Sequence, residues 1–269
     1  MKKTLRIFWL VLVLMFIYVP ILVLAVYSFT DASAVGGGIS GFSFENYINL
    51  FADDELRGMI FGTVLLALVC AAISTVLATL GAIGSFYSKR VTKSLINAAN
   101  QVPVVNADIV TGFSICILMI VILRADKDTF IPLGIGHVVL TAPFAYLSIL
   151  PKLKQMDNSL YEAALDLGAT PAQALFKVVL PQLVPGILSG FMLAVTLSLD
   201  DYFITTYTKP STFDTISTYV VNATKGSQTE TKTALWALST LIFILVIVFV
   251  VVMNVLSSRK RRQAECHQS

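Results

Sequence analysis

Residues 151–183 read PKLKQMDNSLYEAALDLGATPAQALFKVVLPQL, a patterned stretch between two apolar blocks at about 131–150 and 184–207. Ser159 and Glu162 have the spacing of a capping box, with Ser159 as N-cap and Glu162 at the third helical position. The helix runs through Ala163 and Ala164 and stops near Gly168, which suits a left-handed C-cap. Thr170, Pro171 and Gln173 open a second helix: a capping threonine, a first-turn proline and a second capping box. The spacing predicts two short helices with a tight glycine turn between them. Ala163 and Ala164 allow close approach, while Leu167, Leu175 and Phe176 offer an apolar ridge. Such an elbow serves either of two ends: it docks in a groove of another protein, or it packs on this chain's own helix ends.

The rest of the sequence fixes the setting. Of 269 residues, 56% are hydrophobic and 13% charged, against about 25% charged in soluble domains. The apolar residues gather in six blocks, about 7–29, 59–87, 100–123, 131–150, 184–207 and 234–257, each near the ~20 residues that span a bilayer as helix. A spanning segment must satisfy its own backbone hydrogen bonds, and the alternation of barrel strands is absent. The expectation is an all-α membrane protein with six transmembrane helices. Pro132, Gly134, Gly136 and Pro143 interrupt the fourth block. The first block follows Lys2, Lys3 and Arg6 as in a signal peptide, but its core, 7–29, exceeds the usual h-region, so it is read as an uncleaved helix. The plan is an N-terminal span (1–30), an extracytoplasmic loop (31–58), a core of five spans (59–257, with the cytoplasmic loop 152–183) and a basic tail (258–269).

Charge sets the orientation. With the N-terminus inside, thirteen of the nineteen Lys and Arg fall in cytoplasmic segments, which places both termini in the cytoplasm. No Lys or Arg falls within a block. Cys70, Cys116 and Cys266 form neither a disulfide pattern nor a metal-ligand spacing, and Cys266 beside His267 makes a poor zinc site. No G-x-x-x-x-G-K-[ST] loop is present, and Gly36–Gly38 lacks the lysine. If the chain powers anything with ATP, the nucleotide site lies on a partner.

Of sixteen acidic residues, Asp108, Asp200 and Asp201 fall inside blocks. A carboxylate at the centre of a spanning helix costs roughly 2.5–3.5 kcal/mol on insertion scales. These spans offer no Lys or Arg to pair with them, only His137. Asp108 lies midway between Lys93 and Arg124, which places it near the midplane. On a continuous helix Asp201 lies about 12 Å in from Lys209. Gln101, Asp108 and Thr111 share one helical face. Ser189, Thr196, Asp200, Phe203 and Tyr207 share another, with Ser198, Asp201, Thr205 and Thr208 on the face beside it. Two readings stand: a polar path for a cation, or structural roles in which Asp108 caps a helix broken after Pro103 and Asn106 and one of the aspartate pair bonds to a neighbouring helix.

The run Glu162-Ala-Ala-x3-Gly168-x9-Val178-x-Leu180-Pro181 resembles the EAA loop of ABC-importer permeases, with Val178 where isoleucine is usual. "NADIVTGFS" (106–114), "LSLDDYFITTY" (197–207), "IYVPILVLAVYSF" (17–29) and "HVVLTAPFAY" (137–146) resemble the PotC-type spermidine/putrescine permeases over nearly the whole chain. Asn106 stands where proline is common. The resemblance implies a MetI-like type I permease fold in a bacterial cytoplasmic membrane. It implies that Glu162, Ala163, Ala164, Gly168, Leu180 and Pro181 dock on an ATPase. It also implies four partners: a homologous second permease, two cytoplasmic ABC ATPase subunits and an extracytoplasmic polyamine-binding protein. The chain itself would bind no cofactor, ATP and Mg belonging to the ATPase, and no nucleic acid. Cargo is then a polyamine moving past Asp108, Asp200, Asp201, Thr111, Thr196, Phe203 and Tyr207. The alternatives are another cation or small solute (ferric iron, thiamine, an aminoalkylphosphonate). An intramembrane aspartyl protease fits poorly, since Asp108 and Asp200 lack the YD and GxGD contexts.

Overall fold

The structure is a computed structural model that describes residues 2–30, 41–157, 159–225, 236–244, 246–248, 251 and 255. The described residues are nearly all helical, with one isolated antiparallel bridge, Thr30 to Phe42. In chain order the helices are α1 (Lys2–Ser28), α2 (Glu45–Ala52), α3 (Asp54–Tyr87), α4 (Arg90–Val105), α5 (Asp108–Cys116), α6 (Phe130–Gln155), α7 (Ser159–Asp166), α8 (Pro171–Ala174), α9 (Leu180–Asp200), α10 (Phe203–Thr208) and α11 (Ile216–Lys225). Four stretches are long and apolar enough to cross a membrane: Ile7–Ser28, Asp54–Tyr87, Phe130–Gln155 and Pro171–Asp200. A fifth is the bent pair α4 and α5 with its continuation to Ile122. The sixth expected block, 234–257, is described only in part, and the basic tail and 31–40 of the outer loop lie outside the described residues. Residues 236–244 and 246–248 are helical.

The chain divides into two compact units. One comprises Met1–Ile60 with Tyr219–Phe249, and the other is built on Phe61–Thr218. In the first, Ser28 Oγ lies 2.8 Å from the Tyr47 hydroxyl and Asn46 Nδ2 donates to the Thr30 carbonyl at 2.9 Å. These bonds join the end of α1 to the start of α2. Asp53 opens α3 by accepting from the Glu55 and Leu56 amides, so the orphan donors of that helix start are met by a side chain.

The second unit is organised on the pair α6 and α9. Their backbones come close because Gly186 and Gly190 face α6. A Cβ on Gly190 would lie 3.1 Å from the Ala145 carbonyl oxygen and 3.2 Å from its Cα. Helices meeting through small residues gain dispersion contacts that larger side chains would prevent. Beside them Ala78, Ala82, Ala145, Tyr146, Ile149 and Leu150 form one buried cluster and Leu153, Val179 and Leu183 another. Ser74 on α3 lies 2.6 Å from Thr141 on α6, and both are fully buried.

Three expectations need correction. The block 100–123 is not one straight helix. α4 begins earlier, at Arg90, and ends at Val105, and the chain turns by 105° before α5. Asn106 and Ala107 are extended there. Pro103 has already removed one helical donor, and the Asn106 side chain donates to Thr111 Oγ1 at 3.0 Å across the turn. The block 184–207 is also broken, at Asp201 and Tyr202, so Ser189, Thr196, Asp200, Phe203 and Tyr207 do not form one continuous helical face. Finally, Ser159 is the first residue of α7 rather than its cap. Asp157 takes that role, accepting from the Ser159 amide at 2.9 Å. These bonds hold its carboxyl below the usual aspartate value. The interrupted fourth block, by contrast, is a single helix, Phe130–Gln155.

Candidate functional site

The break in the fifth block is built by Asp201. Its backbone leaves the helix at φ −68°, ψ 124°. Its carboxylate turns forward to accept from the Ile204 amide (3.3 Å), the Thr205 amide (2.8 Å) and the Thr205 hydroxyl (2.8 Å). A short polar side chain that satisfies the first amides of a new helix competes with continuation of the old one. The charge also sits at the positive end of α10. Ser217 Oγ donates to the Asp201 carbonyl, holding the break from the other side. Asp201 is therefore buried and fully bonded.

Asp200, the last residue of α9, is exposed, and so is Asp108, the first residue of α5. Neither forms a hydrogen bond or ion pair among the described residues. α5 and α10 meet tightly. A Cβ on Gly112 would lie 2.9 Å from the Ile204 Cα and 3.3 Å from the Phe203 carbonyl oxygen. One turn on, the Phe113 and Tyr207 rings meet edge to face at 5.8 Å. Asp108 and Asp200 each stand four residues before the Gly112–Ile204 contact. Phe203 is exposed, Tyr207 half-buried and Thr111 buried. Thr196 lies on α9, across the break from Phe203, and bonds back to the Met192 carbonyl at 3.0 Å. The structure thus sets α5, which carries Asp108 and Thr111, against α10, which carries Phe203 and Tyr207, while Asp200 closes α9 before the break. It keeps Thr196 on the far side of the break and turns Asp201 inward.

One participant was noted from sequence only as the basic group within the blocks and was given no place in the site. His137, on α6 and fully buried, sits between Ser198 Oγ (2.7 Å from Nδ1) and Thr205 Oγ1 (3.0 Å from Nε2). Its Nε2 is 3.8 Å from Asp201 Oδ2. The only signal was a histidine inside an apolar block. Among the described residues no three His, Cys, Asp or Glu side chains gather as a metal site requires.

The elbow stands at the other end of the α6–α9 pair. α7 ends in a left-handed turn at Gly168, φ 87°. There the Gly168 amide donates to the Leu165 carbonyl (2.9 Å) and the Ala169 amide to the Ala164 carbonyl (3.0 Å), the pattern of a Schellman cap. Thr170 and Gln173 form the capping box of α8 reciprocally, at 3.3 and 3.0 Å. The chain then loosens by one residue over Leu175–Val179, where the Leu180 amide bonds the Leu175 carbonyl, and enters α9 at Leu180 and Pro181. Glu162, Ala163, Gly168 and Pro181 are exposed and Ala164 and Leu180 half-buried. The ridge is bare: Leu167 is 89% exposed and Phe176 65%. Tyr161 and Leu175 point inward, onto Leu153, Val179 and Leu183. The Tyr161 ring lies 5.2 Å from that of Tyr87 at the end of α3.

Long apolar helices, an exposed elbow fixed to the tightly packed α6–α9 pair, and a broken helix carrying acids fit a membrane component of a transport system. Residues 74–263 match the binding-protein-dependent transport system inner membrane component family, and the chain belongs to it. It is 32% identical over 212 residues to the Escherichia coli putrescine transport system permease protein PotI, covering 75% of this chain and 73% of that one. It is 27% identical over 244 residues to the spermidine/putrescine transport system permease protein PotC of Haemophilus influenzae, covering 91% and 93%. Among solved structures, a bacterial alginate ABC transporter in complex with its alginate pentasaccharide-bound periplasmic protein superposes with TM-score 0.72 at 17% identity, covering 96% of this chain and 94% of that one. The MetNI methionine transporter superposes with TM-score 0.57 at 16% identity, covering 77% and 98%. At those identities the likeness establishes the fold, that of ABC-importer permeases. The chain is a transporter subunit and not an enzyme.

Proposed function

We propose that this chain is one permease subunit of an ATP-driven polyamine importer, with six spans and both termini in the cytoplasm. It is paired with a homologous permease, two cytoplasmic ATPase subunits and an extracytoplasmic binding protein. The observation that carries the reading is two exposed acids within the apolar blocks, Asp108 at the start of α5 and Asp200 at the end of α9, neither with a hydrogen bond or ion pair among the described residues. A flexible polycation supplies what they lack: its ammonium groups pair with the carboxylates and its alkyl spacers lie on Phe203 and Tyr207, where cation–π contact adds about 0.5–2 kcal/mol. The named relatives carry putrescine and spermidine, which supports the same cargo.

The elbow supports the coupling half of the reading. An exposed Leu167 and Phe176 on capped, preorganised helices suit insertion into a cleft of an ATPase. ATP and Mg bind on that partner. Closure of the ATPase dimer displaces α7 and α8. The close-packed α6–α9 pair carries the displacement, about 22 Å along α6 from Lys152 to His137 at 1.5 Å per residue, to the break at Asp201. The test is uptake by the assembled complex in lipid vesicles. Labelled putrescine and spermidine should enter with ATP inside. Thiamine, ferric iron and an aminoalkylphosphonate should neither enter nor compete. Entry of one of these in place of polyamines would transfer the assignment to that solute.

A further inference from the structure

His137 spans the break, and with a neutral ring its contacts form one consistent chain of donors and acceptors. The Asp201 carboxylate only accepts, so the Thr205 hydroxyl hydrogen points to Oδ2, 2.8 Å away. Thr205 Oγ1 then receives from its other neighbour, the His137 Nε2 hydrogen, at 3.0 Å. With Nε2 protonated, a neutral ring leaves Nδ1 as an acceptor, and Ser198 Oγ donates to it at 2.7 Å. The order is Ser198 to His137 to Thr205 to Asp201, with no donor clash and no buried polar atom left over. Ser198 belongs to the last turn of α9 and Thr205 to the first turn of α10, so one imidazole on α6 grips both sides of the break. The same stretch of α6 is held on its other side. The Thr141 hydroxyl donates to the His137 carbonyl at 2.7 Å, and Ser74 on α3 lies 2.6 Å from Thr141 Oγ1.

We propose that His137 is the positioning residue of the acid junction: a neutral Nε2–H imidazole that latches α10 to α9, keeps Asp201 turned inward as the cap, and thereby leaves Asp200 facing the cargo. Asp200 and Asp201 are adjacent on the chain, and the break rotates them to opposite environments, one exposed and one buried. Gly136, one residue before, packs α6 against Ile204 and Thr208, but among the described residues only the His137 ring is hydrogen-bonded to side chains on both sides of the break. The role of the latch rests on the reading of Asp200 as a cargo-facing group. Its structure does not.

Two readouts separate the latch from the cargo. The chain has two histidines, so nitrogen NMR of ring-labelled protein carrying His267→Gln reports His137 alone. One protonated and one bare nitrogen are expected, with Nε2 the protonated one; an Nδ1–H ring or an imidazolium at neutral pH overturns the latch. In vesicles of the full complex, His137→Leu removes both bonds and leaves Thr205 and Ser198 with unmet partners. Putrescine KM should rise about tenfold or more while the complex still assembles. His137→Gln presents an acceptor and a donor about as far apart as the ring nitrogens, and it should restore KM to within about threefold of the native chain. Native KM in His137→Leu, or no rescue by Gln beside an assembled complex, refutes the positioning role. If the native complex moves no putrescine, the cargo reading fails, and the tautomer alone decides whether the latch exists.

Discussion

Gly168 is the position where the elbow's geometry and its purpose can be separated. Its φ of 87° lies in the left-handed region, which costs an ordinary L-residue roughly 1–2 kcal/mol. A Cβ there would meet nothing within 4 Å, so the cost is backbone strain alone. Asparagine tolerates this region better than alanine although it is larger. Proline is worst, because its ring fixes φ near −65° and it lacks the amide that bonds the Leu165 carbonyl. If the elbow docks on an ATPase, 1–2 kcal/mol lowers the population of the docking conformation by about 5–30-fold. The expected order of impairment is Asn, then Ala, then Pro, with Pro abolishing docking. The assay is co-purification of the ATPase with the permease, followed by ATP turnover with and without substrate-loaded binding protein. Normal coupling in Gly168→Pro would refute the docking role. Impairment that follows size, with Asn worse than Ala, would show that crowding at the partner surface and not turn strain is what matters.

Three further outcomes follow from the site and its frame. Asp108→Asn and Asp200→Asn should each lower putrescine uptake about tenfold or more with assembly intact, whereas Asp201→Asn should lower the yield of folded complex as well, because it weakens the cap of α10; equal effects at all three positions would contradict the division into exposed and buried acids. Gly190→Val should destabilise the α6–α9 pair by about 1–3 kcal/mol, since its neighbours are Ala145 backbone atoms, while Gly84→Ala, with nothing within 4 Å, should be silent; detergent melting curves of the two distinguish them. Asp128 accepts from both the amide and hydroxyl of Ser211, which hold its carboxyl below the usual aspartate value. That tie is therefore present above the unfolded pKa of about 3.9 and is lost as pH falls through the lower folded value, so Ser211 amide exchange should accelerate only below about pH 4 in the native chain and at all pH values in Asp128→Ala.

The elbow was legible because its determinants are local. Thr170 with Gln173, and Gly168 with Leu165, satisfy one another within five residues, and the spacing alone carries that information. Four spans were legible for a similar reason: hydropathy over about 20 residues needs no partner. The two breaks were harder. Asp201 ends a helix only if Thr205, Ser217 and His137 are in place, and His137 lies more than sixty residues away in sequence. Pro103 and Asn106 did signal the other break, but neither specifies a turn of 105°. The start of α7 shows the small end of the same problem. Ser159 and Asp157 are both good caps, and the structure uses Asp157.

The three acids within the apolar blocks are chemically alike but not equivalent, and the difference explains why a permease would keep two aspartates side by side. A single exposed acid at the end of α9 would leave the helix free to continue, carrying the acid around with each small rotation. Asp201 stops the helix by giving its carboxylate to the next three donors, and that fixes the residue before it at a defined end. The cost of burying the second charge is offset by those donors and by the positive end of α10. The break in turn sits where α5 meets α10 through Gly112, with no side chain between the backbones. A movement of α10 therefore reaches Asp108's helix directly. Coupling of a distant elbow to a cation path requires such an element, rigid along α6 and α9 and discontinuous only at the point where the acids stand.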